Sequence, residues 1–401
     1  MIPIEDALEL IEQNVEQLHF ELQPIHDCVG QVLSSPAISD IDSPPYSKSM
    51  MDGFAIRFSD FQNGTREFNI VERVLAGQQP TKPLGPNQAT QIMTGAPIPE
   101  GCEAVVMVEQ TSESGEVVCI KTDDVNSGQN ILDRASVFCE GDEILPKGHL
   151  IQSKDAGVLA EIGNGECRVI RRPKVSVIAT GDELVSMTEQ PGLGQIRNSN
   201  SPMLVELAKA AGCRARDLEI AGDNLEDLGA RIQHGLDSDV LLLSGGVSAG
   251  KADLVPQVLH SQGVEQIFHK VAIKPGKPVW FGKLSSNENG RPCLVFGLPG
   301  NPASSLACFH VFVLPALRRL FGMSAWRSVT TVAKLSKGID IRGGRTTYWP
   351  AVLSEESATC EPLDWRGSAD IRAVSAANCL AIFPSEQTSY KTGEEIRVLR
   401  L

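Results

Sequence analysis

The sequence predicts a multidomain protein of the α+β and α/β classes, with a central doubly wound, mostly parallel α/β domain between two β-rich regions. At 401 residues the chain is too long for one ordinary hydrophobic core. Apolar runs alternate with amphipathic segments from about residue 170 to 320, which is typical of a parallel sheet with helices on both faces. Short alternating apolar runs separated by turn residues flank that stretch, as in β domains.

The first elements in chain order are a helix and several short strands. Residues 3–18 place Ile4, Leu8 and Ile11 on one helical face. A β-rich domain follows, with strands expected near residues 54–56, 68–71, 104–108 and 117–120. We expect a discontinuous N-terminal domain (1–43 and 138–168), an inserted β-rich domain (44–137), an α/β domain (169–323) and a small C-terminal β domain (324–401).

Strands and helices then alternate. The helix after the first α/β strand is expected to begin with Ser201 as its cap and Pro202 as its first residue. A later helix is expected from Asn301 to about Leu320. The α/β strands are expected near 175–179, 217–221, 240–243, 279–281 and 293–296, and the C-terminal strands near 329–332, 348–353, 380–383 and 395–399.

Composition excludes several classes of partner. The net charge of −14 argues against nucleic acid and anionic membranes. The start of the sequence lacks the basic and apolar regions of a signal peptide, and no apolar stretch approaches about 18 residues, so we expect a cytoplasmic protein. The ten cysteines show no metal-ligand spacing and are read as reduced thiols.

The stretch from Ser244 to Asp253 follows a buried apolar run and resembles an anion-binding loop. Glycines let backbone N–H groups approach an anion closely, and the following helix adds its positive end. Gly245, Gly250 and Lys251 have the spacing of a phosphate-binding P-loop, but Ala252 stands where Ser or Thr would hold Mg²⁺.

Three more polar loops flank the α/β strands, at residues 180–183, 274–278 and 297–302. Lysines can neutralise an anionic substrate, and carboxylates such as Glu183 and Asp253 can hold a hard divalent cation. Each loop alone is more often a turn, a helix cap or solvated surface. Four such loops at one edge of a sheet, where parallel sheets bind ligands, favour a site.

Seven segments together resemble the MoeA/gephyrin E-domain family, the molybdopterin molybdenumtransferases. They occur in the family's order over nearly the whole chain: Met51-Asp52-Gly53-Phe54-Ala55, Met93-Thr94-Gly95-Ala96-Pro97, Ser127-Gly128-Gln129-Asn130-Ile131, Thr180-Gly181-Asp182-Glu183-Leu184, Ser244-Gly245-Gly246-Val247-Ser248, Lys274-Pro275-Gly276-Lys277-Pro278 and Gly297-Leu298-Pro299-Gly300-Asn301-Pro302.

The resemblance implies the last step of molybdenum cofactor synthesis, in which adenylylated molybdopterin and molybdate give the cofactor and AMP with Mg²⁺. It also implies an elongated homodimer of four-domain subunits, with the site between the α/β domain of one subunit and the N-terminal domains of the other. Implied protein partners are the adenylyltransferase that supplies the substrate and molybdoenzyme apoproteins.

The resemblance assigns roles by motif. The implied catalytic residues are Asp52, Thr94, Glu183, Asp223, Lys274 and Lys277, with Asp52 and Thr94 contributed across the dimer. The implied binding residues are Thr180, Gly181, Ser244, Gly245, Gly246, Ser248, Pro299 and Pro302, and the implied metal ligands are Asp253 and Glu183.

Two segments depart from the family. Ala135-Ser136-Val137 stands where the family usually carries Gly-Glu-Asp, and Lys48 and Met50 stand where Asn and Ala are common. We therefore expect normal pterin binding but less efficient molybdenum insertion. Two other functions stay open: a non-catalytic pterin-binding or scaffold paralogue, and a P-loop-like ATPase.

Overall fold

The computed structural model describes residues 1–247, 254–287 and 289–401, and these form two compact units. One unit contains residues 1–35, 148–152 and 168–401, and the other contains residues 36–147 and 153–167.

A six-stranded mixed sheet lies at the centre of the larger unit. Its strands, in chain order, are β1 (Lys174–Thr180), β2 (Arg214–Ala221), β3 (Val240–Ser244), β4 (Glu265–His269), β5 (Trp280–Leu284) and β6 (Cys293–Leu298). The spatial order is β2-β1-β3-β6-β5-β4. The first four of these neighbours are parallel, and β5 and β4 add an antiparallel edge. The mostly parallel sheet is thereby confirmed.

Four helices cover this sheet on both faces. They are α1 (Asn200–Ala210), α2 (Leu225–Gly235), α3 (Val255–Ser261) and α4 (Pro302–Leu320), which includes a π-helical segment, Phe309–Val313. Side chains along β3 alternate between two separate cores, as strand geometry requires: Val240 and Leu242 pack with α1 and α4, whereas Leu241 and Leu243 pack with α2 and α3. The predicted doubly wound arrangement is thus confirmed.

Two predicted helix limits were wrong. The helix α1 begins at Asn200 and not after Ser201, because the side-chain Oδ1 of Asn198 accepts a hydrogen bond from the Ser201 N–H at 3.1 Å. The N-terminal helix spans Ile4–Asn14 and ends early, because Val15 adopts an extended conformation.

The helix α4 is long and apolar enough to cross a membrane by length and composition alone. However, 83% of its apolar window is buried inside the protein. It serves as a core helix of this unit.

The C-terminal part of the larger unit forms a second sheet that closes on itself. In order, its strands are Ile273–Lys274, Thr346–Ser354, Thr359–Pro362, Thr330–Leu335, Glu395–Arg400 and Cys379–Phe383, and the last pairs back with Thr346–Ser354. The four strands expected here are confirmed. The other elements of this unit are the helix Ile371–Ala376, the 3-10 turn Ile25–Asp27 and the strands Phe20–Pro24, Leu184–Val185, Ile196–Arg197, Ile339–Asp340 and Ser389–Tyr390.

The smaller unit is built on another six-stranded sheet. Its strand order is Ala104–Met107, Gly53–Ile56, Gln88–Ile92, Glu67–Val74, Val117–Ile120 and Thr111–Ser114. All four strands expected here are present, and Phe54, Ile56 and Phe68 are buried in its core. Further elements are the helices Phe58–Gln62 and Asp155–Glu161, the 3-10 turn Val108–Gln110 and the strands Ala37–Ile38, Lys48–Ser49, Ile131–Leu132 and Glu143–Leu145. The strand Glu166–Ile170 crosses the limit between the two units along the chain.

Candidate functional site

A cavity of about 630 Å³ lies at the carboxyl ends of β1, β2, β3 and β6. This is the edge at which parallel sheets bind ligands. Eight of the residues expected in a site line this one cavity: Thr180, Gly181, Glu183, Asp223, Ser244, Gly245, Gly246 and Pro302.

The turn after β3 requires glycine at two consecutive positions. Gly245 and Gly246 have φ angles of +97° and +64°, in the left-handed region. A Cβ on Gly245 would lie 2.6 Å from the main-chain oxygen of Thr180, and one on Gly246 would lie 2.6 Å from Cγ2 of Val255. The N–H of Gly245 donates to the oxygen of Leu298 at 3.0 Å, so this amide joins β3 to β6 and is not offered to an anion.

The start of α1 contributes a part of the cavity that the sequence analysis missed. Asn198, Ser199 and Asn200 line the cavity. The amide of Asn200 donates to Oγ of Ser244 at 2.8 Å and to the main-chain oxygen of Gly300 at 2.6 Å. Its Oδ1 is buried without a hydrogen-bond partner among the described residues. The polar residues 198–200 precede the expected helix in the sequence. They could have indicated this part of the site, because a helix N-terminus attracts anions.

Two aspartates connect the loops after β1 and β2. Oδ1 of Asp182 accepts from the N–H of Asp223 at 2.9 Å, and the N–H of Asp182 donates to Oδ2 of Asp223 at 3.4 Å. These bonds tie together the two loops that carry Glu183 and Asp223, which are exposed and line the cavity.

The donor chemistry of this lining fits Mg²⁺, which prefers oxygen ligands and commonly takes one or two carboxylates together with substrate phosphates. Glu183 and Asp223 are carboxylates of that kind. No group of three or more metal-binding side chains occurs among the described residues. Asp253 and Ser248 lie outside the described residues.

The structure places three other expected residues outside the cavity lining. Lys274 belongs to the strand that pairs with Thr346–Ser354, and burial, Arg345 and Arg342 lower its pKa. Lys277 is exposed to solvent. Pro299 is buried, and its main-chain oxygen accepts from Oγ of Ser305 at 2.5 Å.

The C-terminal region also reaches this cavity. Ala369 and Ile371 line it, and the N–H of Ala303, at the start of α4, donates to the main-chain oxygen of Ser368 at 3.0 Å. The cavity therefore has walls from both the α/β region and the C-terminal β region of the larger unit.

Asp52 and Thr94 lie together in the smaller unit. Oδ1 of Asp52 accepts from both the N–H and the Oγ1 of Thr94, each at 2.7 Å. These bonds, the main-chain bond foremost, lower the pKa of the Asp52 carboxyl. Both residues are exposed.

The segment that departs from the family forms an exposed turn in the smaller unit. Ala135 has a φ of +59°, the left-handed conformation that favours glycine. Ser136 and Val137 are exposed. Next to them, Asp42 accepts from Nε of Arg134 at 2.6 Å and from the N–H of Glu140 at 2.9 Å.

Comparisons with known proteins agree along the whole chain. Residues 2–163 match the MoeA N-terminal region (domains I and II), residues 176–319 match a probable molybdopterin binding domain, and residues 332–401 match the MoeA C-terminal region (domain IV). Relatives named molybdopterin molybdenumtransferase from Staphylococcus epidermidis and Staphylococcus aureus are 32% and 30% identical, over 99% of this chain and 95% of theirs.

Solved structures agree with this assignment. A molybdopterin biosynthesis MoeA protein from Pyrococcus horikoshii OT3 superposes with a TM-score of 0.85 at 26% identity, covering all of both chains. A second structure of a MoeA protein, from Pyrococcus horikosii, gives a TM-score of 0.84 at 29% identity, covering 100% of this chain and 99% of the other. The chain belongs to the MoeA family of molybdopterin molybdenumtransferases.

Proposed function

We propose that this chain inserts molybdenum from molybdate into adenylylated molybdopterin and releases AMP, forming the molybdenum cofactor. The observation that carries the proposal is the single cavity that gathers Thr180, Ser244 and the paired glycines with the carboxylates Glu183 and Asp223. Its volume of about 630 Å³ lies within the usual range for small-molecule sites.

In this mechanism the protein binds and orients its substrates and supplies no nucleophile. The thiols of the substrate displace oxygen from molybdate as water, and water cleaves the phosphoanhydride to release AMP. Asn200 holds the Ser244 hydroxyl and the loop at Gly300 in fixed positions, so that the substrate meets a preorganised surface. The N-terminus of α1 favours the negative charge of a phosphate there.

We further propose that Glu183 and Asp253 hold Mg²⁺ together with oxygens of the substrate, and that Asp223, which lines the cavity with Glu183, can contribute a further carboxylate. Bound there, Mg²⁺ would neutralise phosphate charge and polarise the phosphoanhydride. We also propose that Lys274 and Lys277, which lie outside this lining, bind molybdate and phosphate where the substrate extends beyond the cavity.

We also propose a cytoplasmic homodimer in which the partner subunit supplies Asp52 and Thr94. Support comes from their geometry: Asp52 is fixed by two hydrogen bonds while both side chains stay exposed, as a residue that serves a second subunit requires. The adenylyltransferase and molybdoenzyme apoproteins are the proposed protein partners.

The deciding experiment measures AMP release from adenylylated molybdopterin with and without molybdate. We expect molybdate-dependent release, a strong loss in Glu183→Gln, and near-normal release in the control Glu226→Gln, an exposed first-turn residue of α2 outside the cavity. Binding of the pterin without AMP release would instead identify a non-catalytic paralogue. ATP hydrolysis in the absence of molybdopterin would identify the P-loop-like ATPase.

A further inference from the structure

A second cavity, of about 410 Å³, lies at the other end of α1 and shares no lining residue with the first. Most of its wall is apolar and comes from the last turn of α1, the helix α4 and nearby loops. Its size is within the range of small-molecule sites, and no role assigned to this chain so far uses it.

The buried imidazole of His310 lines this cavity. The residue is only 6% exposed, and neither ring nitrogen has a hydrogen-bond partner among the described residues. Burial, and then the charge of Arg318, lower its pKa to about 4, so the ring is neutral at pH 7 with one unused donor and one unused acceptor. A buried polar group without a partner is rare in proteins and often indicates a missing ligand or water.

The backbone at His310 is also unusual. The residue lies in the π-helical segment Phe309–Val313, and its carbonyl oxygen accepts from Oγ of Ser328 at 2.8 Å. Short π-helical segments within α-helices occur frequently at functional sites. Here the segment sets the position of the imidazole against the cavity.

The two charged side chains of the lining, Arg172 and Arg318, are both positive. Leu401 also contributes to the wall, and no Asp or Glu side chain does. Arg172 donates to the main-chain oxygens of Gly212 at 3.0 Å and Val29 at 3.2 Å, and Arg318 donates to that of Arg327 at 3.3 Å. The neighbouring arginines Arg171, Arg319 and Arg327 form ion pairs with carboxylates, but no ion pair with another described residue involves Arg172 or Arg318. Two guanidiniums beside apolar walls that carry no Asp or Glu side chain suit an anion with an apolar body.

We propose that this cavity binds a small organic carboxylate with an apolar body, whose carboxylate meets the arginines and whose binding gives His310 a hydrogen-bond partner. The apolar walls take the body of the ligand, and a rotation about χ2 of His310 presents a ring nitrogen to it. The proposal concerns a site separate from the molybdenum chemistry and does not depend on it.

The test uses benzoate as the probe and benzyl alcohol as its uncharged counterpart, with the full-length protein. We expect benzoate to bind by titration calorimetry and benzyl alcohol not to bind. Arg318→Met should weaken benzoate binding by about tenfold or more, because a charge-assisted contact is lost. The matched control is Arg319→Met on the same helix: Arg319 does not line the cavity, and it contacts Glu12.

A second measurement follows the ring itself. In protein labelled with ¹⁵N-histidine, the resonance that His310→Phe removes should shift on addition of benzoate, and the other resonances should not. His310→Phe, which keeps an aromatic ring of similar size, should also bind benzoate more weakly. Equal binding of benzoate to the wild type, Arg318→Met and His310→Phe, or no binding at all, would overturn the proposal.

Discussion

Asp52 is held by Thr94 through two hydrogen bonds to the same carboxylate oxygen, each 2.7 Å long. Because both bonds favour the ionised form, the pKa of Asp52 is lower than usual and the residue is an anion at neutral pH. No described residue donates a hydrogen bond to its second carboxylate oxygen, and the side chain is exposed. Such a fixed anion is what the proposed composite site requires.

Replacing Thr94 by Val should raise the pKa of Asp52 toward its ordinary value, because the hydroxyl bond is lost and the main-chain bond stays. We expect slower AMP release and an intact fold. Thr94→Ser is the control, since it keeps the hydroxyl. The ¹³C resonance of the Asp52 carboxyl, followed with pH, reports the change. An unchanged titration in Thr94→Val would show that the main-chain bond alone fixes Asp52.

Gly245→Ala should lower the free energy of unfolding by about 2 kcal/mol or more. The new Cβ would clash with the main-chain oxygen of Thr180, and the alanine would also have to adopt a left-handed conformation. The control is Gly194→Ala: its φ is +83°, but no atom lies within 4 Å of the added Cβ. That variant should lose only about 1 kcal/mol. Urea unfolding measures both. Equal losses of stability in the two variants would mean that the main chain at the end of β3 shifts to accommodate the methyl group with no additional loss of free energy.

The contact of Asn200 with Ser244 should show measurable coupling. In a double-mutant cycle with Asn200→Ala and Ser244→Ala, we expect a coupling energy of about 1 kcal/mol in stability, as for a buried neutral hydrogen bond. Asn200→Ala alone should cost more than Ser244→Ala, because it also leaves the oxygen of Gly300 without its donor. Strict additivity of the two changes would contradict the contact.

Ala135→Gly should stabilise the protein by up to about 1 kcal/mol, because it relieves a left-handed alanine. Adding Ser136→Glu and Val137→Asp restores the pattern usual in the family. If the absent carboxylates limit catalysis, these two changes should raise turnover by about tenfold to a hundredfold. Single-residue and triple variants separate the effect on stability from the effect on rate. Unchanged turnover in the triple variant would show that the segment Ala135-Ser136-Val137 does not limit catalysis.

His310 should make stability depend on pH. Its folded pKa is lowered from 6.5 to about 4, so the unfolded chain binds a proton more readily. The free energy of unfolding therefore keeps its full value above pH 6.5. It decreases by a total of about 3 kcal/mol as the pH falls from 6.5 toward 4. His310→Phe should flatten the stability profile in that window. A profile of the same slope in both proteins would assign the loss to other groups.

Much of the fold could be predicted from the pattern of apolar and polar residues along the sequence. The run Val240-Leu241-Leu242-Leu243 is apolar at every position because β3 is buried on both faces, so its assignment was secure. Strand β4 was missed because three of its five residues are polar, and an edge strand needs few apolar side chains. The helix Ile371–Ala376 was not predicted, because six residues are too few to show a helical repeat of apolar side chains.

The residues that line the candidate site could be predicted where the backbone requires glycine, but not where their position depends on contacts between distant parts of the chain. Gly245 and Gly246 mark a turn that other residues cannot form, so they pointed to the cavity. Lys274 and Lys277 have the composition of an anion site, yet strand pairing with the C-terminal sheet decides where Lys274 lies. Asn200 gave only a weak signal, because its role depends on Ser244 and Gly300, which are distant in the sequence.

The wall formed by Ala369 and Ile371, with the link from Ala303 to Ser368, joins the cavity to the C-terminal region. An α/β region expressed without residues 324–401 would lose this part of the cavity wall. Substitutions at Ala369 or Ile371 would therefore change the shape of the cavity, although both positions lie far beyond the glycine-rich loops in the sequence.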